Sequence, residues 1–198
     1  MKTALVLVDL QNDFCPGGAL AVPDGDAVIP VANRWMQRAD VVVATQDWHP
    51  ADHGSFAANH GAAPYAMGEL GGRPQVLWPI HCVQGTPGAA LHADLDQRPI
   101  ARIFPKGTRS DVDSYSGFFD NHRAGDTGLG AWLREAGVGE VWVLGLATDY
   151  CVKATAIDAV SLGFRVRLIT EGCRGVGLGP TDVDDAIASM RAAGVEVV

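Results

Sequence analysis

The residue whose type and position most invite chemistry is Cys151. It follows the apolar run Val141-Trp-Val-Leu-Gly-Leu146 and lies at the start of a segment with helical spacing. Backbone N–H groups at a helix start lack acceptors and the dipole is positive there, so a thiolate is favoured. The same N–H groups suit a developing oxyanion. Cysteine is also at home as a small buried hydrophobe, so position alone decides nothing. Two further strand-end residues sharpen the case. Asp9 closes the first apolar run and Lys106 follows the third. A carboxylate beside a thiol can take its proton and later deliver it to a leaving group. An adjacent ammonium lowers the pKa of both. Singly, Asp9 is also an ordinary strand-end cap and Lys106 a solvated charge; the argument rests on their convergence.

A second constellation has metal-ligand character. Asp47-Trp48-His49 puts a carboxylate and an imidazole two residues apart, on one side of extended chain. His81 offers a third ligand, and His/His/carboxylate with open positions suits Zn²⁺, Fe²⁺ or Mn²⁺. Asp-x-His alone equally describes a surface acid beside a hydrogen-bonded histidine. His53 and His60 are further candidates, whereas His92 and His122 read as plain surface or core histidines. Phe14 and Trp78 could sandwich a flat ring or simply pack the core. Cys15 and Cys82 lack an acid–base pattern, and Cys173, placed after the fifth strand, reads as structural. Gly175-Val-Gly177-Leu-Gly179 has the wrong spacing and position for a dinucleotide fingerprint.

The elements that must position these residues follow from hydrophobic pattern. Apolar, branched runs at 3–9, 41–45, 100–104, 141–146, 164–169 and 195–198 read as strands buried on both faces, hence a parallel sheet. Helical patterns fill 26–39, 129–136, 149–162 and 181–193, the last opening on a capping-type Thr181. Alternation of this kind predicts a three-layer α/β/α sandwich around a mostly parallel six-stranded sheet. Ligands in such sheets bind outside the carboxyl ends of the strands, the edge that Asp9, Asp47, His49, Lys106 and Cys151 share. The exception is an irregular, Gly-, Pro- and His-rich insertion at about 48–99, and long segments of that kind are usually functional.

With 198 residues, 47% hydrophobic and 19% charged, the chain reads as one domain, 1–198, with a sizeable core. A net charge of −8 argues against nucleic-acid or anionic-membrane partners. No apolar run approaches the ~20 residues of a membrane helix. The four cysteines are widely spread without a CxxC pair, and the first strand begins directly after Met1-Lys2. The expectation is therefore a reduced, cytoplasmic protein.

Six ordered segments carry a resemblance. Val8-Asp9-Leu-Gln-Asn-Asp-Phe14, Asp47-Trp-His-Pro50, Trp78-Pro-Ile-His-Cys82, Phe104-Pro-Lys-Gly107, Tyr115-Ser-Gly-Phe118 and Gly145-Leu-Ala-Thr-Asp-Tyr-Cys151 resemble the successive motifs of nicotinamidases/pyrazinamidases, within the isochorismatase-like cysteine hydrolases. The resemblance implies the isochorismatase-like hydrolase fold and hydrolysis of nicotinamide to nicotinate and ammonia. It implies a triad of Asp9, Lys106 and Cys151, with a thioester intermediate. It implies one divalent metal on Asp47, His49 and His81, Zn²⁺ ahead of Fe²⁺ or Mn²⁺, with His53 a candidate fourth ligand, and contact of that metal with the pyridine nitrogen. It also implies a cis peptide before Ala147, with the N–H groups of Ala147 and Cys151 as oxyanion hole. Phe14, Trp78, Tyr115 and Tyr150 are then expected to line the substrate pocket; Tyr150 stands where some nicotinamidases have His. The expected partner is the small-molecule substrate, with no nucleic acid or membrane and a homo-oligomer open. The competing readings are a sister amidohydrolase acting on another amide, a metallohydrolase using metal-bound water, and a non-catalytic binding member of the fold.

Overall fold

Strand β1, Lys2–Val8, is apolar on both faces from Ala4 onward, and Ala4, Leu5, Val6, Leu7 and Val8 are all fully buried. Burial of each Val or Leu contributes about 1.5–3 kcal/mol, which fixes this strand at the sheet centre. In the computed structural model, which covers residues 1–198, the elements after β1 are α1 (Val28–Met36), β2 (Val41–Asp47), β3 (Met67–Leu70), β4 (Arg73–Val76), β5 (Ile100–Lys106), α2 (Leu129–Glu135), β6 (Val138–Leu146), α3 (Lys153–Ser161), β7 (Arg165–Arg174), α4 (Asp182–Ala192) and β8 (Glu196–Val197). The main sheet has the order β5-β2-β1-β6-β7-β8, and every pairing in it is parallel.

From β1 the chain steps outward one way to β2 and β5, then crosses back and steps the other way through β6, β7 and β8. Right-handed crossovers therefore put α1 on one face and α2, α3 and α4 on the other, giving the expected three layers. Trp35 of α1 meets Trp142 of β6 edge-on at 5.3 Å, and Arg134 of α2 donates to the Leu162 carbonyl at the end of α3. The order reverses between β1 and β6, so the crevice beyond their carboxyl ends is the topological switch point. There the two strands approach closely: a Cβ on Gly145 (φ +135°) would lie 2.1 Å from the Val8 carbonyl oxygen.

Several boundaries differ from the sequence reading. Strands β2 and β5 continue through Asp47 and Lys106, which pair with each other, so both are strand-end residues and not loop residues. Pro105 is tolerated because β5 is an edge strand. Strand β7 runs on to Arg174, which places Cys173 inside it, where it pairs with Gly145 across a register shift. Thr181 gives α4 no side-chain cap; the Asp182 carboxylate accepts the Gly179 N–H at 2.7 Å instead. The segment expected as one helix from 149 begins as a π-helical turn, Thr148–Val152, ahead of α3. The irregular insertion contains the antiparallel β3–β4 hairpin, turned by Gly71 and Gly72 with φ +57° and +78°. No helix is long and apolar enough to cross a membrane.

Candidate active site

Strand β1 ends at Val8, and Asp9 turns the chain away with a left-handed φ of +50°. Its carboxylate is fully buried at the switch point. Oδ1 accepts the Thr45 hydroxyl at 2.6 Å, and Oδ2 lies 2.9 Å from Lys106 Nζ. The second contact is an ion contact without hydrogen-bond alignment, so Oδ2 has no directed hydrogen-bond partner. Lys106 Nζ also meets Asp47 Oδ1 at 2.5 Å, the Ser114 carbonyl at 2.9 Å and Cys151 Sγ at 3.4 Å. The sheet edge thus brings Asp9, Lys106 and Cys151 together as expected. It adds something the sequence did not indicate: the ammonium joins the thiol group to the carboxylate of the metal-type cluster.

Charge and burial compete in this group. Burial raises the Asp9 carboxyl above its ordinary 3.8, with Lys106 opposing and Asp47 reinforcing the rise. Burial likewise pushes the Cys151 thiol well above 9.0, against the pull of Lys106. Burial alone would depress Lys106, but Asp47 and Asp9 hold it well above 10.5. The expectation of a favoured thiolate is therefore corrected. The resting group is a neutral thiol beside a buried carboxylate, because desolvation outweighs Lys106 and the helical turn.

Asp47, His49 and His81 present one ligand atom each within 4.8 Å of one another. His49 Nδ1 faces the Gly107 carbonyl at 2.9 Å and His81 Nδ1 the Pro79 carbonyl at 2.8 Å. Both rings therefore turn Nε2 to Asp47 Oδ2, at 3.6 and 3.9 Å. Carbonyl anchors on the remote nitrogens are the usual outer support of metal-binding histidines. Asp47 stays ionised, since Lys106 and His49 outweigh the effect of burial. His81 is pushed down to about 4 by burial and by His49, so it is neutral. His49 is raised by Asp47 against burial, and a cation bound there would need its Nε2 free of a proton. The donor set fits a divalent cation.

Two devices hold these ligands in place. Gln11 clamps the Asp47 backbone from both sides, accepting its N–H and donating to its carbonyl, each at 2.8 Å. Gly107 (φ +61°) leaves room for His49, whose Cε1 would lie 2.4 Å from any added Cβ. His53 stacks near His49 at 4.2 Å, but its Nδ1 pairs with Ser55 and its Nε2 faces the Val112 carbonyl. It groups with His49 and Asp113 rather than with Asp47 and His81. His60 bonds the Gly54 carbonyl at the surface, away from the cluster.

One pocket joins the two groups. Phe14, Leu20, Trp78, Tyr115, Tyr150 and Val176 form its apolar wall, and Asp47, His49, His81, Asp113, Ala147 and Cys151 complete the lining. Trp78 meets Tyr150 edge-on at 4.8 Å and donates Nε1–H to the Tyr115 hydroxyl. The Leu146–Ala147 peptide is cis, and the Ala147 N–H donates to no protein acceptor. Sequence reasoning missed Thr45, Leu20, Asp113 and Val176, and named Gln11 without giving it a part. Val176 is brought in by Asp149, whose carboxylate accepts the N–H groups of Val176 and Gly177 at 2.9 and 2.8 Å. Cys15 and Cys173 stand apart from the acid–lysine pair, and burial pushes them up to about 11 and about 12. Burial, with Asp47 and Asp9 reinforcing and Lys106 opposing, holds the Cys82 thiol well above 9.0.

The Isochorismatase domain family matches residues 3–198 of the chain. The nicotinamidase of Escherichia coli K12 is 57% identical over 195 residues, covering 96% of this chain and 92% of the relative. A nicotinamidase/pyrazinamidase structure from Acinetobacter baumanii superposes with a TM-score of 0.96 at 45% identity, covering 100% of this chain and 95% of that one. A pyrazinamidase of Pyrococcus horikoshii, solved in complex with zinc, gives 0.81 at 39% identity, covering 100% and 99%.

Proposed function

The chain belongs to the isochorismatase family, and from that premise we propose that it hydrolyses nicotinamide to nicotinate and ammonia, with pyrazinamide as a second substrate. The observation that carries the reading is one buried ammonium, Lys106 Nζ, within 2.9 Å of Asp9, 2.5 Å of Asp47 and 3.4 Å of Cys151. That arrangement sets a thiol–carboxylate pair and a His/His/Asp set on one narrow aromatic pocket.

In this mechanism the aromatic ring lies among Phe14, Trp78, Tyr115 and Tyr150. Asp9 Oδ2 takes the Cys151 proton as Sγ bonds to the amide carbon. The Ala147 and Cys151 N–H groups donate to the oxyanion. Collapse breaks the C–N bond, and the proton on Asp9 passes to the departing nitrogen, leaving a thioester and ammonia. Asp9 then takes a proton from a water that adds to the thioester, and returns it to Sγ as the acid leaves. Lys106 keeps Asp9 ionised against the desolvation that raises it. Asp47, His49 and His81 would hold Zn²⁺, which would supply a Lewis-acidic point for the pyridine nitrogen, while His53, its ring nitrogens on Ser55 and Val112, would stay outside the ligand set. All four cysteines are free and buried, which supports a reducing, cytoplasmic setting.

The test is ammonia release from a panel of small aromatic and aliphatic amides. Wild type and Cys151→Ala are compared, each with and without chelator, with mass spectrometry for an acyl-enzyme. Turnover confined to ring-nitrogen amides and absent in Cys151→Ala is expected. Retained turnover in that variant would sink the covalent route in favour of attack by metal-bound water.

A further inference from the structure

Thr45 belongs to neither the acid–thiol pair nor the metal-type cluster, yet its hydroxyl is fully buried and spends both its bonds on one residue. Oγ1 accepts the Asp9 backbone N–H at 3.2 Å and donates to Asp9 Oδ1 at 2.6 Å. The polarity of the pair is fixed. The N–H can only donate, so the hydroxyl proton goes to the carboxylate. Oδ1 is thereby occupied, and Oδ2, which has no directed hydrogen bond, is the oxygen left for Cys151. The same two bonds hold Asp9 at φ +50°, a backbone conformation that side chains with a Cβ rarely adopt.

The threonine rotamer is set from behind. A Cβ on Gly117 would lie 2.6 Å from Thr45 Cγ2, and the Gly117 N–H is itself tied to Thr155 Oγ1 at 2.9 Å. The methyl of Thr45 therefore has a fitted place, and its hydroxyl is left facing Asp9.

We infer that Thr45 is a positioning residue for the proton carrier, holding Asp9 so that Oδ2 faces Cys151 Sγ. The inference rests on Asp9 exchanging its proton with Cys151. Thr45 touches neither substrate nor reacting atom, and its effect is on the angle and occupancy of the carboxylate.

Thr45→Val keeps the branched shape and removes the hydroxyl, whereas Thr45→Ser keeps the hydroxyl. Both are compared with wild type and Asp9→Asn for steady-state ammonia release, metal content and circular dichroism. The expected result for Thr45→Val is a fall in kcat on the order of 10- to 100-fold, the size of a lost hydrogen bond to a charged group. KM changes by less than about threefold and metal content stays at the wild-type level, because pocket and ligands are untouched. Thr45→Ser restores kcat to within about threefold of wild type. If Thr45→Val does not fold, Thr45→Ala carries the same comparison. Unchanged kcat in the hydroxyl-free variant, alongside an inactive Asp9→Asn, overturns the role of Thr45 and leaves the mechanism standing. An active Asp9→Asn overturns the mechanism, and this inference with it.

Discussion

Lys106 is the residue whose removal should do most damage, and the size of that damage can be bounded. Its ammonium lies 2.9 Å from Asp9 and 2.5 Å from Asp47, with no exposed surface. At an effective dielectric of ~20 each contact is worth on the order of 6 kcal/mol of gross attraction. That gross value is offset by the several kcal/mol needed to desolvate each ion, so it is not the net contribution. The loss in Lys106→Met is limited by another route. Without the ammonium, Asp9 need not stay ionised; it can take a proton. Carrying a carboxyl from 3.8 past pH 7 costs about 1.36 kcal/mol per unit, or roughly 4 kcal/mol. Burial already raises Asp9 in the native protein, so this is an upper bound on the Asp9 share, within the about 3–5 kcal/mol typical of a buried pair that loses one partner; Asp47 also loses the ammonium but keeps His49 as a counter-charge. The sign follows from proton uptake. The folded variant binds a proton that the unfolded chain releases above roughly pH 4, so its stability falls as pH rises. Urea unfolding at about pH 7 should show an Asp9-linked loss of up to about 4 kcal/mol that shrinks towards pH 4. Ammonia release should fall at least ~100-fold, because a protonated Asp9 cannot accept the thiol proton. A loss below about 1 kcal/mol that does not change with pH would refute the reasoning, since Asp9 would then have another counter-charge.

Two further outcomes follow from the same geometry. Turnover needs Asp9 ionised and the Asp9–Cys151 pair to hold one proton. Burial raises Asp9 above 3.8 and Cys151 well above 9.0, so the acid limb of kcat/KM should lie above 3.8 and the alkaline fall beyond 9.0. An acid limb at an ordinary aspartate value contradicts the assignment. Gly107→Ala places a Cβ 2.4 Å from His49 Cε1 at a φ of +61°. It should weaken metal affinity at least ~10-fold, measured by competition with a chromophoric chelator; unaltered affinity means that the His49 ring does not depend on the space left by the missing Cβ at position 107.

What could be read in the sequence was what periodicity and strand-end placement encode. The six strands, their parallel sense and the shared edge of Asp9, Asp47, Lys106 and Cys151 all follow from apolar runs that end in polar residues. What could not be read depends on partners far along the chain. Nothing near Cys151 indicates that burial overrides the helical turn and keeps its thiol neutral, because the desolvating residues come from several strands and loops. The β3–β4 hairpin was hidden for a different reason. Its strands are four residues each, too short for a clear period, although Gly71-Gly72 was a usable turn signal. Thr45 closes an apolar run, where a threonine carries no signal of a functional part.

Thr45 and Gln11 owe their parts to one feature that explains why the site lies where it does. Strand β1 pairs with β2 only as far as Leu7 with Ala44, while β2 runs on to Asp47 beside β5. Beyond Ala44, β2 has a backbone edge facing a strand that has already turned away. Buried N–H and carbonyl groups there need partners, and side chains supply them. Thr45 takes the Asp9 N–H, and the Gln11 amide pairs with both backbone groups of Asp47 as a neighbouring peptide would. The early end of β1 thus opens the crevice and creates the polar positions that hold its walls. Strands β1 and β2 are seven residues each but staggered, so the functional groups on the overhanging end of β2 are gripped by side chains rather than by the ladder. Such side chains can be recognised only once the stagger between the two strands is known.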